Sequence, residues 1–329
     1  MKLSIISVNY KSWTYLEAAL NSLIADFPDN WEIDVVDNES NPSDFNAFAA
    51  RFPWVRFIAN PDNSGFGFGC NLGAAEASGE KLLFMNPDVV AKVEDIQELI
   101  RIKDQHDIGI VAPRQVSASG KAQKVFDDFP SLANQSKTLK ALLRVIYPSR
   151  YRNPRADHVE LTCCNWVTGS VLLIDRDDFD AVSGWSEDYW MYVEDADLCR
   201  KATDCGLSVA YVPDVEVIHA HGGSSRLNVA VKSMAKLEVI ISKHVYNQNH
   251  VKGLSRWLTH TLIVLLRMPI LIIAGLLDLV TFRQVPILQV RSRMLGGLLR
   301  YYLGVINSGS WLSPRAIANQ AGVIQSSAE

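Results

Sequence analysis

Residues 82–85, Leu-Leu-Phe-Met, are wholly apolar and stop abruptly at Asn86-Pro87-Asp88. So short a run with no polar face belongs to a strand buried on both sides of a parallel sheet. Proline cannot donate to a sheet ladder and biases Asn86 away from helix, so the strand must end in a sharp, fixed turn. That turn presents an amide and a carboxylate at the carboxyl edge of a buried strand, where open α/β sheets bind ligands. Two oxygen-bearing side chains there suit a hard divalent cation that also holds a diphosphate. All three residues are also common turn formers, so the turn taken alone favours a structural reading, and the rest of the chain moves that judgement.

The flanking sequence alternates strands with helices. Residues 3–8 form an apolar strand, followed by the loop Asn9-Tyr10-Lys11-Ser12 and a helix carrying Leu16, Ala19, Leu20 and Leu23 at helical spacing. A strand over 32–36 ends at Asp37-Asn38-Glu39-Ser40; a short helix over 45–52 and a strand over 55–59 follow. Beyond the Asn86-Pro87-Asp88 turn come a helix over 93–105 and a strand over 108–112. The alternation predicts an α/β fold of βαβ units with a mostly parallel, Rossmann-like central sheet. Gly67, Gly69 and Gly73 mimic a dinucleotide fingerprint, but that fingerprint belongs to the first strand–helix turn. The expectation is a flexible loop over 60–70 feeding a helix over 71–78 whose N-terminus can face an anion, with a purely structural glycine loop as the alternative.

Residues 113–160 lose the pattern and are intermittently basic, as acceptor-facing segments and ordinary insertions both are. A strand over 166–175 carries Gly169, marking a bulge or the close approach of a ligand. After a short helix over 177–182, Glu194, Asp195 and Asp197 open another helix beside Trp185, Tyr189, Trp190, Met191 and Tyr192. Acids at a helix start complement its dipole. A carboxylate beside apolar rings also has the raised proton affinity that a general base needs. Strands over 209–212 and 215–218 lead to His219-Ala220-His221-Gly222-Gly223-Ser224-Ser225-Arg226, for which metal or phosphate binding and a structural role weigh about evenly.

A formal net charge of −4 gives no nucleic-acid signature. Five cysteines without Cys-x-x-Cys spacing read as thiols of a reducing compartment, and the N-terminus enters a strand with no room for a signal peptide, so the catalytic part is expected in the cytoplasm. A helix is expected over 234–244 and a mobile tail over 308–329. Between them, residues 262–266 and 270–277 are intensely apolar, interrupted by Arg267 and Pro269 and bounded by Arg256 and Arg283. Arg267 is costly in a straight span, so a kinked or re-entrant interfacial helix pair fits best; a membrane span and a dimer face, hence a homo-oligomer, remain open.

Taken in order, these blocks resemble the inverting GT-A glycosyltransferases of family 2, and most of all bacterial rhamnosyltransferases acting on lipid-linked sugars. The resemblance spans residues 3–226. It rests on Ser7-Val8-Asn9-Tyr10, Val36-Asp37-Asn38, Asn63-x-Gly65-Phe66-Gly67-x-Gly69-x-Asn71, Asn86-Pro87-Asp88, Gly169, Met191-Tyr192-x-Glu194-Asp195-x-Asp197-Leu198-Cys199 and His219-x-His221-Gly222-Gly223-Ser224. It implies a GT-A domain over 1–226; beyond it the pattern fades, and the apolar, basic composition points to a helical, membrane-associating region over 227–329. Donor binding would fall to Val8, Asn9, Tyr10, Asp37 (on the pyrimidine base), Asn38, Asn63, Gly65, Phe66, Gly69, Asn71, Asn86 and Asp88. Mg²⁺ or Mn²⁺ would sit on Asp88 with His219 completing its shell. Asp195 would be the base, with Glu194 beside it, and Gly169, Trp190, Tyr192 and Asp197 would face the acceptor. The implied partners are a dTDP- or UDP-linked sugar, a polyprenyl-diphosphate-linked acceptor and the cytoplasmic face of a bacterial inner membrane, held peripherally or monotopically. The implied reaction is rhamnosyl transfer from dTDP-rhamnose in O-antigen or cell-wall synthesis; transfer of galactofuranose or glucose, or a non-catalytic sugar-binding role, are the alternatives. Many family members carry Asp-x-Asp where this chain has Asn86-Pro87-Asp88, which lowers the charge offered to a cation. A sugar-nucleotide pyrophosphorylase would need a Gly-rich first loop with Arg and Lys, which residues 9–12 do not supply.

Overall fold

Leu-Ser-Ile-Ile-Ser-Val-Asn, residues Leu3–Asn9, is buried at every position, as a central strand covered on both faces must be. The computed structural model describes residues 2–154, 156, 158–220 and 228–319. In chain order the elements are β1 (Leu3–Asn9), α1 (Trp13–Leu23), β2 (Trp31–Asn38), α2 (Pro42–Arg51), β3 (Arg56–Asn60), α3 (Phe66–Glu76), β4 (Lys81–Met85) and β5 (Val89–Val90). They continue with α4 (Val93–Gln105), β6 (Ile110–Val116), β7 (Phe126–Asp127), α5 (Lys137–Ile146), β8 (Thr162–Cys163), β9 (Trp166–Val167), β10 (Val171–Asp175) and α6 (Arg176–Ala181). The last are α7 (Glu194–Asp204), β11 (Val209–His219), α8 (Val229–His250), α9 (Gly253–Val280) and α10 (Pro286–Ser308).

Two compact units share the chain. The first comprises Met1–Phe129, Arg152–Ser186 and Glu194–Ser224. Its sheet runs β3-β2-β1-β4-β10-β6-β11-β5, with β8 also on β11. The strands β3, β2, β1 and β4 are parallel, as the βαβ alternation demands, and β10 enters antiparallel between β4 and β6. One apolar core fills each sheet face, under α1, α2 and α4 on one side and α3, α6 and α7 on the other.

Several boundaries differ from the sequence-based expectation. The glycine-rich stretch is helix from Phe66, not from residue 71, because Gly65 caps it at φ 98°. Its glycines serve close packing: a Cβ at Gly69 would lie 2.9 Å from Val8 Cγ1, and one at Gly73 2.6 Å from Ile6 Cγ2. The strand expected over 166–175 is two, β9 and β10, separated by a turn at Thr168-Gly169-Ser170. Conversely, the two strands expected after residue 209 are one, β11, whose register on β6 shifts between Val212 and Glu216.

The second unit comprises Pro130–Tyr151, Glu187–Val193 and Ser225–Glu329. The helix pair expected around Pro269 is one continuous 28-residue helix, α9, about 42 Å long at 1.5 Å per residue. Pro269 removes a single rung of the ladder and is exposed. By length and composition α9 is the one helix among the described residues able to cross a membrane, and Arg267 lies within it. The helices α8, α9 and α10 enclose a polar–aromatic knot. His244 Nδ1 lies 2.7 Å from His260 Nδ1, and His244 Nε2 lies 3.0 Å from the Tyr302 hydroxyl. Trp311 stacks on His260 with ring centroids 3.9 Å apart. Burial, then the neighbouring His260, pushes His244 down to about 3, so the knot is neutral. Within the expected mobile tail, Ser313 and Ala316 are fully buried and Ser313 donates to Glu238, so residues 308–319 are packed; residues 320–329 lie outside the described residues.

Candidate active site

Parallel strands leave their polar ends along one edge, and here those ends form a ladder. The register pairs Asn9 with Asp37 and Asn38 with Asn60. Asn9 Nδ2 donates to Asp37 Oδ1 at 2.6 Å, which also accepts from Ser40 Oγ at 2.7 Å. Asn60 Nδ2 donates to Asn38 Oδ1 at 2.9 Å, and Asn38 Nδ2 to the Gly65 carbonyl at 3.1 Å. All four are at least nine-tenths buried. The ladder thus joins three strand ends to the start of α3 and brings together the expected donor-side residues Asn9, Asp37, Asn38 and Gly65. Val8 packs below Gly69, Lys11 lies over the Tyr10 ring, and Asn63 is half-buried in the loop before the helix. Phe66 meets Trp185 edge to face with centroids 5.4 Å apart. Asn71, expected on the donor side, is tied to Trp185. Its amide donates to the Trp185 carbonyl and accepts from the Trp185 N–H, each at 2.9 Å, so it clamps α3 to that residue.

Beyond β4, the Asn86 N–H donates to the Ser170 carbonyl at 2.8 Å, and the chain turns to form β5. Antiparallel pairing sets Val89 opposite His219, and this register carries the imidazole to Asp88. His219 Nε2 lies 3.2 Å from Asp88 Oδ1, with the two side chains 4% and 12% exposed. Behind it, Gln115 on β6 accepts from His219 Nδ1 at 2.8 Å and from Ser170 Oγ at 2.9 Å. With Nδ1 bonded to Gln115, Nε2 is the ring nitrogen that faces the carboxylate. A carboxylate oxygen beside an imidazole nitrogen is a donor set that a divalent cation accepts. Among the described residues no group of three His, Cys, Asp or Glu side chains is placed to hold a metal ion, so there Asp88 and His219 stand as a pair. His221, Gly222, Gly223, Ser224 and Arg226 lie outside the described residues.

Asp195 stands in the first turn of α7. Its Oδ1 accepts from the Ala196 N–H at 2.8 Å, its Oδ2 from the Gly169 N–H at 3.4 Å. Desolvation outweighs both bonds and pushes the carboxyl up to about 6. Glycine is required at 169, since a Cβ there would lie 2.9 Å from the Trp185 ring. The buried Glu194 sits close enough to Cys70 to help burial hold that thiol well above its ordinary range. Asp197 is buried 3.9 Å from Lys201. Trp190 and Tyr192 belong to the second unit, where Arg315 lies over the Trp190 ring and Ser242 Oγ donates to the Met191 carbonyl. Tyr192 and Val193 both have positive φ, 72° and 69°, a strained entry to α7 of the kind functional sites retain.

One short turn ties these groups together. Thr168 Oγ1 and Ser170 Oγ are 2.8 Å apart, and both bond Gln115; Gly169 between them bonds Asp195. The three-residue link between β9 and β10 therefore holds the base candidate on one side and the Asp88–His219 pair, through Gln115, on the other. Several of these residues, among them Asn60, Gln115, Thr168 and Ser170, were not singled out from the sequence. Asn60 had a signal, since it ends an apolar strand as Asp37 does. Gln115 had none.

Residues 4–168 match the glycosyl transferase family 2 domain. A Mycobacterium tuberculosis N-acetylglucosaminyl-diphospho-decaprenol L-rhamnosyltransferase is 28% identical over 234 residues, covering 66% of this chain and 75% of the relative. The Escherichia coli rhamnosyltransferase WbbL is 25% identical over 224 residues, covering 65% and 82%. Among solved structures, a Pyrobaculum calidifontis mannosyltransferase in complex with GDP-Man and Mn²⁺ shares the fold at TM-score 0.51 and 15% identity, covering 98% of this chain and 80% of that one. The sheet order, the carboxylate ending at β4 and the matched domain agree: the chain has the GT-A fold, belongs to glycosyl transferase family 2 and is a glycosyltransferase.

Proposed function

We propose that the enzyme transfers L-rhamnose, with inversion, from dTDP-rhamnose to a sugar carried on a polyprenyl diphosphate at the cytoplasmic face of a bacterial membrane. The observation that carries the reading is the Thr168-Gly169-Ser170 turn, which binds the Asp195 side and the Asp88–His219 side into one frame. Inverting transfer needs that pairing, a base for the acceptor and a diphosphate-binding group held at a fixed separation. Asp195 takes the proton of the acceptor hydroxyl as its oxygen bonds to the anomeric carbon. The bond from that carbon to the diphosphate breaks on the opposite face, and its electron pair leaves on the nucleotide. With a carboxyl near 6, Asp195 is mostly ionised at neutral pH yet basic enough to share the proton in the transition state. Asp88 and His219 are the residues that would hold Mg²⁺ or Mn²⁺, which when bound stabilises charge on the departing diphosphate. Asp37 and Asn9 offer the polar edge for the nucleoside.

Support for the sugar and the carrier comes from the relatives: both are rhamnosyltransferases, and one is named for a decaprenol-linked substrate. Support for the membrane comes from the helical region, proposed as a membrane-associating extension of a GT-A domain over 1–226. Between residues 251 and 313 it carries Lys252, Arg256, Arg267, Arg283, Arg291, Arg293 and Arg300 against one acid, Asp278. Leu265, Ile273 and Leu276 of α9 are 63%, 59% and 60% exposed, a face suited to the acyl boundary with cations at the headgroups. The test is incubation of the purified protein and bacterial membranes with a panel of radiolabelled dTDP- and UDP-sugars. Rhamnose should enter the organic-extractable lipid fraction. Label arriving only from another nucleotide sugar, or only in water-soluble product, would overturn the assignment.

A further inference from the structure

The helix α5 is built the wrong way round for one that serves a protein core. Leu139, Leu142 and Ile146 recur on one side at helical spacing, yet they are 40%, 53% and 53% exposed, and Val145 beside them is 79% exposed. Lys140 and Arg144 fall on the opposite side of the helix wheel. Residues 137–152 contain five Lys and Arg and no Asp or Glu. An outward apolar stripe on a helix whose charged residues are all basic, with Lys140 and Arg144 half-buried on the inner side, suits the plane of a membrane interface.

What covers the stripe follows from charge and continuity. A second copy seated on the stripe would add its own cations, such as the exposed Arg150 just past the helix, to those already there, which disfavours self-association. An anionic bilayer complements them. The 3-10 turn Leu132–Asn134 just before α5 packs against α9 within the same unit, so α5 starts beside the helix proposed above to meet the membrane. We propose that α5 is an interfacial helix that enters the headgroup layer of an anionic bilayer, giving the helical unit a second membrane contact separate from α9. The inference rests on the membrane-surface reading above and adds a contact to it.

The experiment is flotation of the full-length protein with phosphatidylcholine vesicles, with and without phosphatidylglycerol. Two double variants are compared with the parent, Leu142→Glu/Ile146→Glu on α5 and Ile273→Glu/Leu276→Glu on α9. All four positions are exposed, so thermal unfolding and nucleotide affinity should stay at parental values. The α5 variant should bind the phosphatidylglycerol vesicles at least about tenfold more weakly. Parental binding by the α5 variant, with binding lost in the α9 variant, overturns the role of α5 and leaves the platform standing. A parent that floats with neither vesicle overturns both. An α5 variant that floats normally but falls from dimer to monomer in light scattering makes the stripe a self-association face instead.

Discussion

Asp195 combines a raised proton affinity with two backbone N–H donors that keep it oriented. Asp195→Asn should therefore lower kcat by about 10²–10⁴-fold while nucleotide affinity, read by calorimetry, is retained. Because the base works ionised and its carboxyl sits near 6, kcat/KM should fall as pH drops through about 6, and that limb should vanish in the variant. A loss under tenfold here, alongside a severe loss in Glu194→Gln, would transfer the role to Glu194. Gln115 acts through its neighbour, holding the His219 tautomer. Gln115→Ala should weaken Mn²⁺ binding in the presence of dTDP about 10–100-fold by calorimetry, and should also lower the unfolding midpoint, since it empties a buried site and strips Ser170 and His219 of their acceptor. Asp88, His219 and Asp195 were legible because each is a polar residue at the abrupt end of an apolar run or beside a ring cluster. Gln115 was not, since a lone amide in Ile-Val-Ala-Pro-Arg-Gln-Val looks like any strand residue. The partner of Asn71 was equally hidden, lying 114 positions away.

Helices and strands declared themselves where burial sets a period, and misled where packing overrides it. The start of α3 was missed because glycine argues locally for a loop, whereas its missing side chains are what let the helix press on β1. Gly73→Ala should cost about 1–3 kcal/mol in urea unfolding, as its new methyl meets Ile6. The continuity of α9 was missed for the converse reason: proline breaks a helix in isolation, but one lost rung is tolerated at an exposed position in a long helix. On α8, Glu238 is 1% exposed, and burial, partly offset by its bond from Ser313, raises its carboxyl from 4.5 to about 6. The folded state thus resists ionising it, so this group lowers stability as pH rises from about 4.5 through 6. Glu238→Gln, which can still accept from Ser313, should gain about 2 kcal/mol above pH 6 and nothing below about 4.5, read from denaturant curves at both pH values.

At the scale of the molecule, two compact units draw on interleaved stretches of chain. The alternating strands announced the first, but nothing in residues 130–151 or 187–193 announced that they fold with the helices. Their apolar positions fit several partners, and only the packing chooses. The same holds for residues 310–319, polar enough to pass for a loose end yet bonded through Trp311 and Ser313. Removing residues 310–329 should speed amide hydrogen exchange in α8 and α10; unchanged protection would show the segment to be dispensable. The Thr168-Gly169-Ser170 turn has a consequence for how such an enzyme can diversify. It belongs to β9 and β10, whereas the polar ladder that would meet the nucleoside belongs to β1, β2 and β3. Reach and choice are therefore written in separate parts of the chain. A library varied at the ladder alone should yield altered donor preference at nearly native turnover, while one varied at the turn should yield only slower versions of the same enzyme.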